Sequence, residues 1–190
     1  EGGALITPNR ALYEKAKALA FFGIEPALAR STSARFALPR FTLLGYNYKL
    51  SDIAAAIAYV QLTDLPKRLE KKARLAARYD ALLTDLPHVK TPFVAKGARH
   101  TWQSYVVTLA AHHKRDAAIE ALRAEGIEAQ IGTYAMHLQA VYASQERCPN
   151  SAACQRRHLA LPLFVGMSKA QQARVVRTLA CVLAAQEASR

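Results

Sequence analysis

The strongest constraint on this chain is a junction between a polar loop and an alanine-rich helix. Gly45-Tyr46-Asn47-Tyr48-Lys49-Leu50-Ser51-Asp52 runs straight into Ile53-Ala54-Ala55-Ala56-Ile57. One glycine, two aromatics, an amide and a base stand ahead of a helix whose surface alanine keeps low. Ser51 is placed to cap that helix, which is predicted to run to about Asp64. Ile53, Ile57, Val60 and Gln61 share one face. Ala54, Ala55, Ala56 and Ala58 let another backbone approach closely, so the helix is expected to pack against a partner element. A polar loop mounted on a rigid element suits a small anionic ligand.

The 190 residues amount to one large domain or pieces of two. Hydrophobic residues make up 52% of the chain, which is enough for a core and argues against disorder. No apolar run approaches the roughly 18 residues that span a bilayer, and no signal peptide is visible. The chain opens at Glu1, without Met, directly into the strand-like run Gly2-Gly3-Ala4-Leu5-Ile6-Thr7. That opening is the pattern expected of a fragment. With 26 basic and 14 acidic residues the net charge is +12. Such an excess favours anionic partners, whether nucleic acid, acidic lipid or a phosphorylated small molecule, or else marks a solvated basic surface. The three cysteines, Cys148, Cys154 and Cys181, are too few and odd in number for a disulfide scaffold and suit a reducing cytoplasm.

Along the chain, Pro8 ends the opening run and a helical period follows from about Asn9 to Phe22, with Leu12, Ala16, Leu19 and Ala20 on one side. Asn9 is a plausible cap, and Gly23 ends the helix. Residues 24–42 carry Pro26 and Pro39 with no clear period and read as an extended loop. Pro66 suits the first turn of a further helix to about Leu83. Leu69, Ala73, Ala76, Ala77 and Leu83 line one side of it, with Lys67, Arg68, Lys71, Lys72, Arg74 and Arg78 over much of the rest. That basic face reads as solvated. Beyond Pro87 the character changes. Trp102–Leu109 and Ile127–Tyr134 read as strands, Lys114–Glu125 as a helix stopped by Gly126, and Leu161–Phe164 as a strand end or edge because of Pro162. Ser168 and Gln171 have capping-box spacing and open a final helix with Val175, Val176, Leu179, Val182 and Leu183 on its apolar face. The order implies an α/β fold with a small mixed or antiparallel sheet covered by helices. His112-His113 reads as a solvated turn. Cys148, Cys154 and His158 lack the close cysteine pairing of common zinc sites, so no metal is expected.

Several segments in collinear order resemble the C-terminal half of the DegT/DnrJ/EryC1/StrS family, pyridoxal-phosphate (PLP)-dependent sugar aminotransferases of the aspartate-aminotransferase fold (PLP fold type I). Glu1-Gly2-Gly3 is similar to the family's Gly-Glu-Gly-Gly strand. Gly45-Tyr46-Asn47-Tyr48-Lys49, with Asp52-Ile53 and Ala55-Ala56 after it, resembles its Gly-Tyr/Phe-Asn-x-Arg signature and the following helix. Gln61-Leu62, Arg78-Tyr79, Trp102, Tyr105-Val106-Val107, Ile131 through His137, Cys148-Pro149-Asn150 and Leu161-Pro162-Leu163-Phe164 continue the match.

The resemblance implies an organisation. Residues 1–22 would end the large PLP-binding domain, and 23–50 would form an extended loop with a phosphate motif serving the other subunit. Residues 51–86 would be long interdomain helices, and 87–190 a small C-terminal α/β domain. It implies that Asn47 contacts the cofactor phosphate across a homodimer interface, and that Lys49, Tyr134 and His137 bind substrate. The lysine that forms the Schiff base would lie upstream of Glu1, so no residue here is a catalytic candidate and the isolated chain is expected to be inactive. The parent would move an amino group, from glutamate, to a keto-sugar, often nucleotide-linked, in the cytoplasm and in service of cell-surface polysaccharide. Taken singly, these residues have plainer readings: Asn47 as a turn asparagine, Lys49 as a surface lysine in place of the family's Arg, and Tyr134 and His137 as structural side chains. The rival reading of the whole chain is a non-catalytic basic binding module, for nucleic acid or regulation. No recognised nucleic-acid motif supports it, and no membrane partner is expected.

Overall fold

The computed structural model describes residues 2–25, 38–142 and 146–189. It falls into two compact units, Glu1–Asp64 and Leu65–Arg190.

In the first unit, α1 (Arg10–Ala20) is capped by Asn9, whose side chain accepts from the Leu12 amide. Gly23 turns the chain with φ +75°. Two short antiparallel strands follow, β1 (Ile24–Glu25) and β2 (Arg40–Phe41), in the register Ile24–Phe41 and Glu25–Arg40. The ends of the expected 24–42 loop are thus paired; residues 26–37 lie outside the described residues. Ser51 caps α2 (Asp52–Thr63) by accepting from the Ala54 amide.

Two expectations fail here. Leu5-Ile6-Thr7 is not a strand: no described segment pairs with it, and Ile6 is 95% exposed. A strand needs a ladder partner, and β-forming residues alone do not supply one. The alanine-rich α2 has no buried residue. Ala54 and Ala55 are half-buried, facing a groove shared with Gly2, Gly3 and Leu50, whereas Ile53, Ile57 and Val60 stand in the open.

The second unit comprises α3 (Leu65–Leu83), β3 (Val89–Lys90), β4 (Tyr105–Leu109), α4 (Arg115–Ala124), β5 (Gln130–Ile131), α5 (Pro149–Arg157), β6 (His158–Leu161) and α6 (Lys169–Ala188). Two single 3₁₀ turns, Met136–Leu138 and Ala140–Tyr142, precede α5. The sheet order is β3-β4-β6-β5, antiparallel throughout. The strand period of two puts Tyr105, Val107 and Leu109 of β4 and Leu159 and Leu161 of β6 into the core. There they meet Tyr79 and Leu83 of α3, Leu122 of α4 and Leu179 of α6. Gln172, wholly buried on α6, donates from Nε2 to the Leu75 carbonyl at 2.8 Å and ties α6 to α3.

The predicted capping box is present: Ser168 Oγ accepts from the Gln171 amide, and Gln171 Oε1 from the Ser168 amide. Several boundaries differ from expectation. The face that α3 buries is Ala76, Tyr79 and Leu83, while Ala73 and Ala77 are exposed. Tyr79 turns the helix inward because its ring fills core volume and its hydroxyl donates to the Pro162 carbonyl. Trp102, at φ +52°, cannot extend a ladder, so pairing begins at Tyr105. Only Gln130–Ile131 of the expected 127–134 strand pairs. Leu161 ends β6, a central strand, and Pro162, lacking an N–H, stands just past it. No helix among the described residues is long and apolar enough to cross a membrane.

Candidate functional site

The last carbonyls of a helix have no partner within it, and at α1 the Gly45–Leu50 loop supplies them. The Tyr46 amide donates to Leu19 O at 2.6 Å, and the Tyr48 amide to Ala20 O at 2.9 Å. In return the Phe22 amide donates to Tyr46 O at 2.9 Å. Glycine makes this crossing possible. A Cβ on Gly45 would stand 2.0 Å from the Gly23 amide nitrogen, and one on Gly23 would stand 1.8 Å from the Leu43 oxygen. The rings of Tyr46 and Tyr48 stack at 4.9 Å, with planes 6° apart. Asn47, between them, bridges Phe21 through its backbone. Its side chain is exposed, and no hydrogen bond among the described residues engages it. Lys49 Nζ rests 4.5 Å from the Phe22 ring centre and 5.1 Å from that of Phe21. This loop therefore presents an amide donor, an ammonium and two phenols on a backbone fixed to a helix end. That donor set fits a phosphate, which needs hydrogen-bond donors and positive charge.

Tyr134 and His137 belong to the second unit. Gly132 lets the chain pass close to the sheet, since a Cβ there would meet Val106 Cγ1 at 2.5 Å and His158 Cβ at 2.7 Å. The segment beyond it is anchored at Ala135, which is fully buried. The Ala135 amide donates to Gln155 Oε1 at 2.6 Å, and Gln139 Nε2 donates to Ala135 O at 3.1 Å. Around this anchor Tyr134 is 61% exposed, and His137 is half-buried in the 3₁₀ turn. A phenol and an imidazole are thus presented together on a braced loop. The brace, Gln155 on α5, carries no motif that sequence reasoning could have singled out; the one signal was the Cys148-Pro149-Asn150 landmark that begins its helix.

Beside that loop, Arg115 is 6% exposed and donates from Nη1 to the His158 carbonyl at 2.9 Å. Arg157 Nε donates to Leu109 O at 2.7 Å. Burial, then Arg157 and Arg115, holds the His158 imidazole below the usual histidine range.

The expected solvated turn at His112-His113 is only partly solvated. His112 is half-buried and His113 is 5% exposed, because the turn after β4 folds against the end of α6. His113 Nε2 lies 3.6 Å from Glu187 Oε1, and its ring stands beside the Gln186 side chain.

Residues 1–180 match the family model of the DegT/DnrJ/EryC1/StrS aminotransferase family. Among solved structures, the chain is similar to the aminotransferase TlmJ from Streptoalloteichus hindustanus, at 25% identity and a TM-score of 0.82 over 94% of this chain and 46% of that one. It is similar to a DegT DnrJ EryC1 StrS aminotransferase from Brucella abortus, at 27% identity and a TM-score of 0.72 over 92% and 44%. The sugar aminotransferase CalS13 from Micromonospora echinospora shares the fold, at 21% identity and a TM-score of 0.77 over 93% and 46%. The chain therefore spans about half the length of the structures it matches.

Proposed function

Since the chain belongs to the DegT/DnrJ/EryC1/StrS aminotransferase family, which is PLP-dependent, we propose that it supplies part of an enzyme moving an amino group from glutamate to a keto-sugar. When bound, PLP supplies the electron sink that makes the amino transfer possible. The observation that carries the proposal is the Gly45–Leu50 loop, with its unengaged Asn47 amide fixed across the end of α1. Asn47 donates from its amide nitrogen to a phosphate oxygen of the cofactor held by the partner subunit of a homodimer. Lys49 adds positive charge at the same face, as a point charge and not a bidentate grip. Tyr134 Oη and the His137 ring nitrogens hydrogen-bond sugar hydroxyls. A nucleotide-linked sugar suits the basic balance of the chain.

In this reading residues 1–22 close the large domain, 23–50 carry the phosphate loop, 51–86 are the interdomain helices and 87–190 form the small domain. In this reading none of the lysines in these 190 residues serves as the Schiff-base partner, and the chain alone is expected not to turn over. Three free cysteines suit a cytoplasmic location.

The test is glutamate-dependent amination of nucleotide-linked keto-sugars by the full-length protein, with PLP titrated. Asn47→Asp sets a carboxylate against the phosphate and is expected to raise the PLP requirement roughly 10- to 100-fold. An unchanged requirement, or turnover by the 190-residue chain alone, would contradict the reading.

A further inference from the structure

Three histidines from two separate turns converge on a single carboxylate oxygen at the end of α6. Glu187 Oε1 lies 3.2 Å from His88 Nε2, 3.7 Å from His112 Nε2 and 3.6 Å from His113 Nε2. The rings of His112 and His113 are 4.2 Å apart, and His88 is 4.9 Å from His112. We propose that His88, His112 and Glu187 bind a divalent transition-metal ion of the zinc type, with His113 buried behind the carboxylate.

Distance is the first support. Donor atoms around a tetrahedral ion with bonds of about 2.0–2.1 Å stand roughly 3.3 Å from one another. The His88 and His112 nitrogens, 3.2 and 3.7 Å from the Glu187 oxygen, bracket that value, and the donor atoms of His88, His112 and Glu187 all lie within 4.8 Å of one another. Chemistry is the second: imidazoles with one carboxylate form a donor set used for zinc. The third is His113. Its side chain is 1% exposed and its Nε2 stands 3.6 Å from the same carboxylate oxygen, so it backs the carboxylate that would hold the ion.

The backbone holds the set in place. His88 sits at φ +67°, uncommon for a residue other than glycine, with its carbonyl accepting from the Ala110 amide at 2.8 Å. Gln186 accepts from the Lys114 amide at 3.0 Å and donates to the Lys114 carbonyl at 3.2 Å, which fixes the end of α6 against the histidine turn. The C-terminal end of α6, where helix carbonyls point, favours a cation. The site would staple three segments of the second unit: the turn before β3, the turn after β4 and α6. It does not depend on the aminotransferase reading.

The experiment is titration of the chelator-treated full chain with ZnCl2 by calorimetry, alongside CoCl2 followed by visible absorption. One Zn²⁺ per chain is expected, with the visible bands of four-coordinate Co²⁺. The thermal midpoint should rise by roughly 5–10 °C when free Zn²⁺ is about 100 times Kd. Glu187→Gln and His88→Asn should each weaken Zn²⁺ binding by at least about 100-fold, since even the groups behind a ligand are worth 10–100-fold. The C148S/C154S/C181S chain should bind as the wild type does. No saturable binding, unchanged affinity in both ligand variants, or loss of binding in the cysteine variant would overturn the site. If a ligand variant fails to fold by circular dichroism, imidazole ¹⁵N shifts in the wild type decide. Zn²⁺ must move those of His88 and His112, and their indifference would overturn the proposal.

Discussion

At Gly45 the absence of a side chain decides whether two chain segments can cross. Its Cβ would fall 2.0 Å from the Gly23 nitrogen and 2.5 Å from the Phe22 carbonyl carbon, where only backbone could give way. Gly45→Ala is therefore expected to cost about 3 kcal/mol or more of the first unit's stability. Gly3→Ala, with nothing within 4 Å of the added Cβ, should stay within about 0.5 kcal/mol. Urea denaturation of the two variants checks the contrast, and equal losses would refute the crossing as the reason for the glycine. The sequence marked Gly45 as part of a motif. The reason for it lies in Gly23, 22 positions earlier, and no local pattern links the two. His113 was misread for a related reason. A pair of histidines in a turn looks solvated until a distant helix end closes over one of them.

The helices were legible where their signals are local. Asn9, Ser51 and Ser168 all accept the capping bonds that their side chains and positions implied. Faces and strands were less legible because they depend on partners. Tyr79 reoriented α3 through a bond to Pro162, 83 residues away. Leu5-Ile6-Thr7 had strand composition and no described ladder partner. At β6 the burial of His158 makes a pH-dependent element. Its imidazole is held below the usual value of 6.5 by burial first, then by Arg157 and Arg115. Below about pH 6.5 the unfolded chain takes up a proton that the folded one refuses, so stability rises with pH and is lost as pH falls through that window. His113, lowered chiefly by burial, adds in the same direction. His158→Gln should reduce the fall in thermal midpoint between about pH 7 and pH 5. An unchanged slope would remove His158 as a contributor.

Over the whole molecule, the collinear order of short segments was the most informative reading, and the match over residues 1–180 bears it out. The charge of +12, in contrast, identified no partner. The candidate residues divide between the two units, Asn47 and Lys49 in the first, Tyr134 and His137 in the second. Under the proposed function, Asn47 would serve a cofactor held by the lysine of another subunit. Subunit complementation of the full-length protein tests this most directly, by mixing Asn47→Asp subunits with subunits lacking the cofactor lysine. If the site is shared, each mixed dimer carries one intact site, and equal mixing, at a PLP level too low for the Asn47→Asp dimer, restores about a quarter of wild-type amination. Activity that stays at the sum of the two separate variants would contradict it.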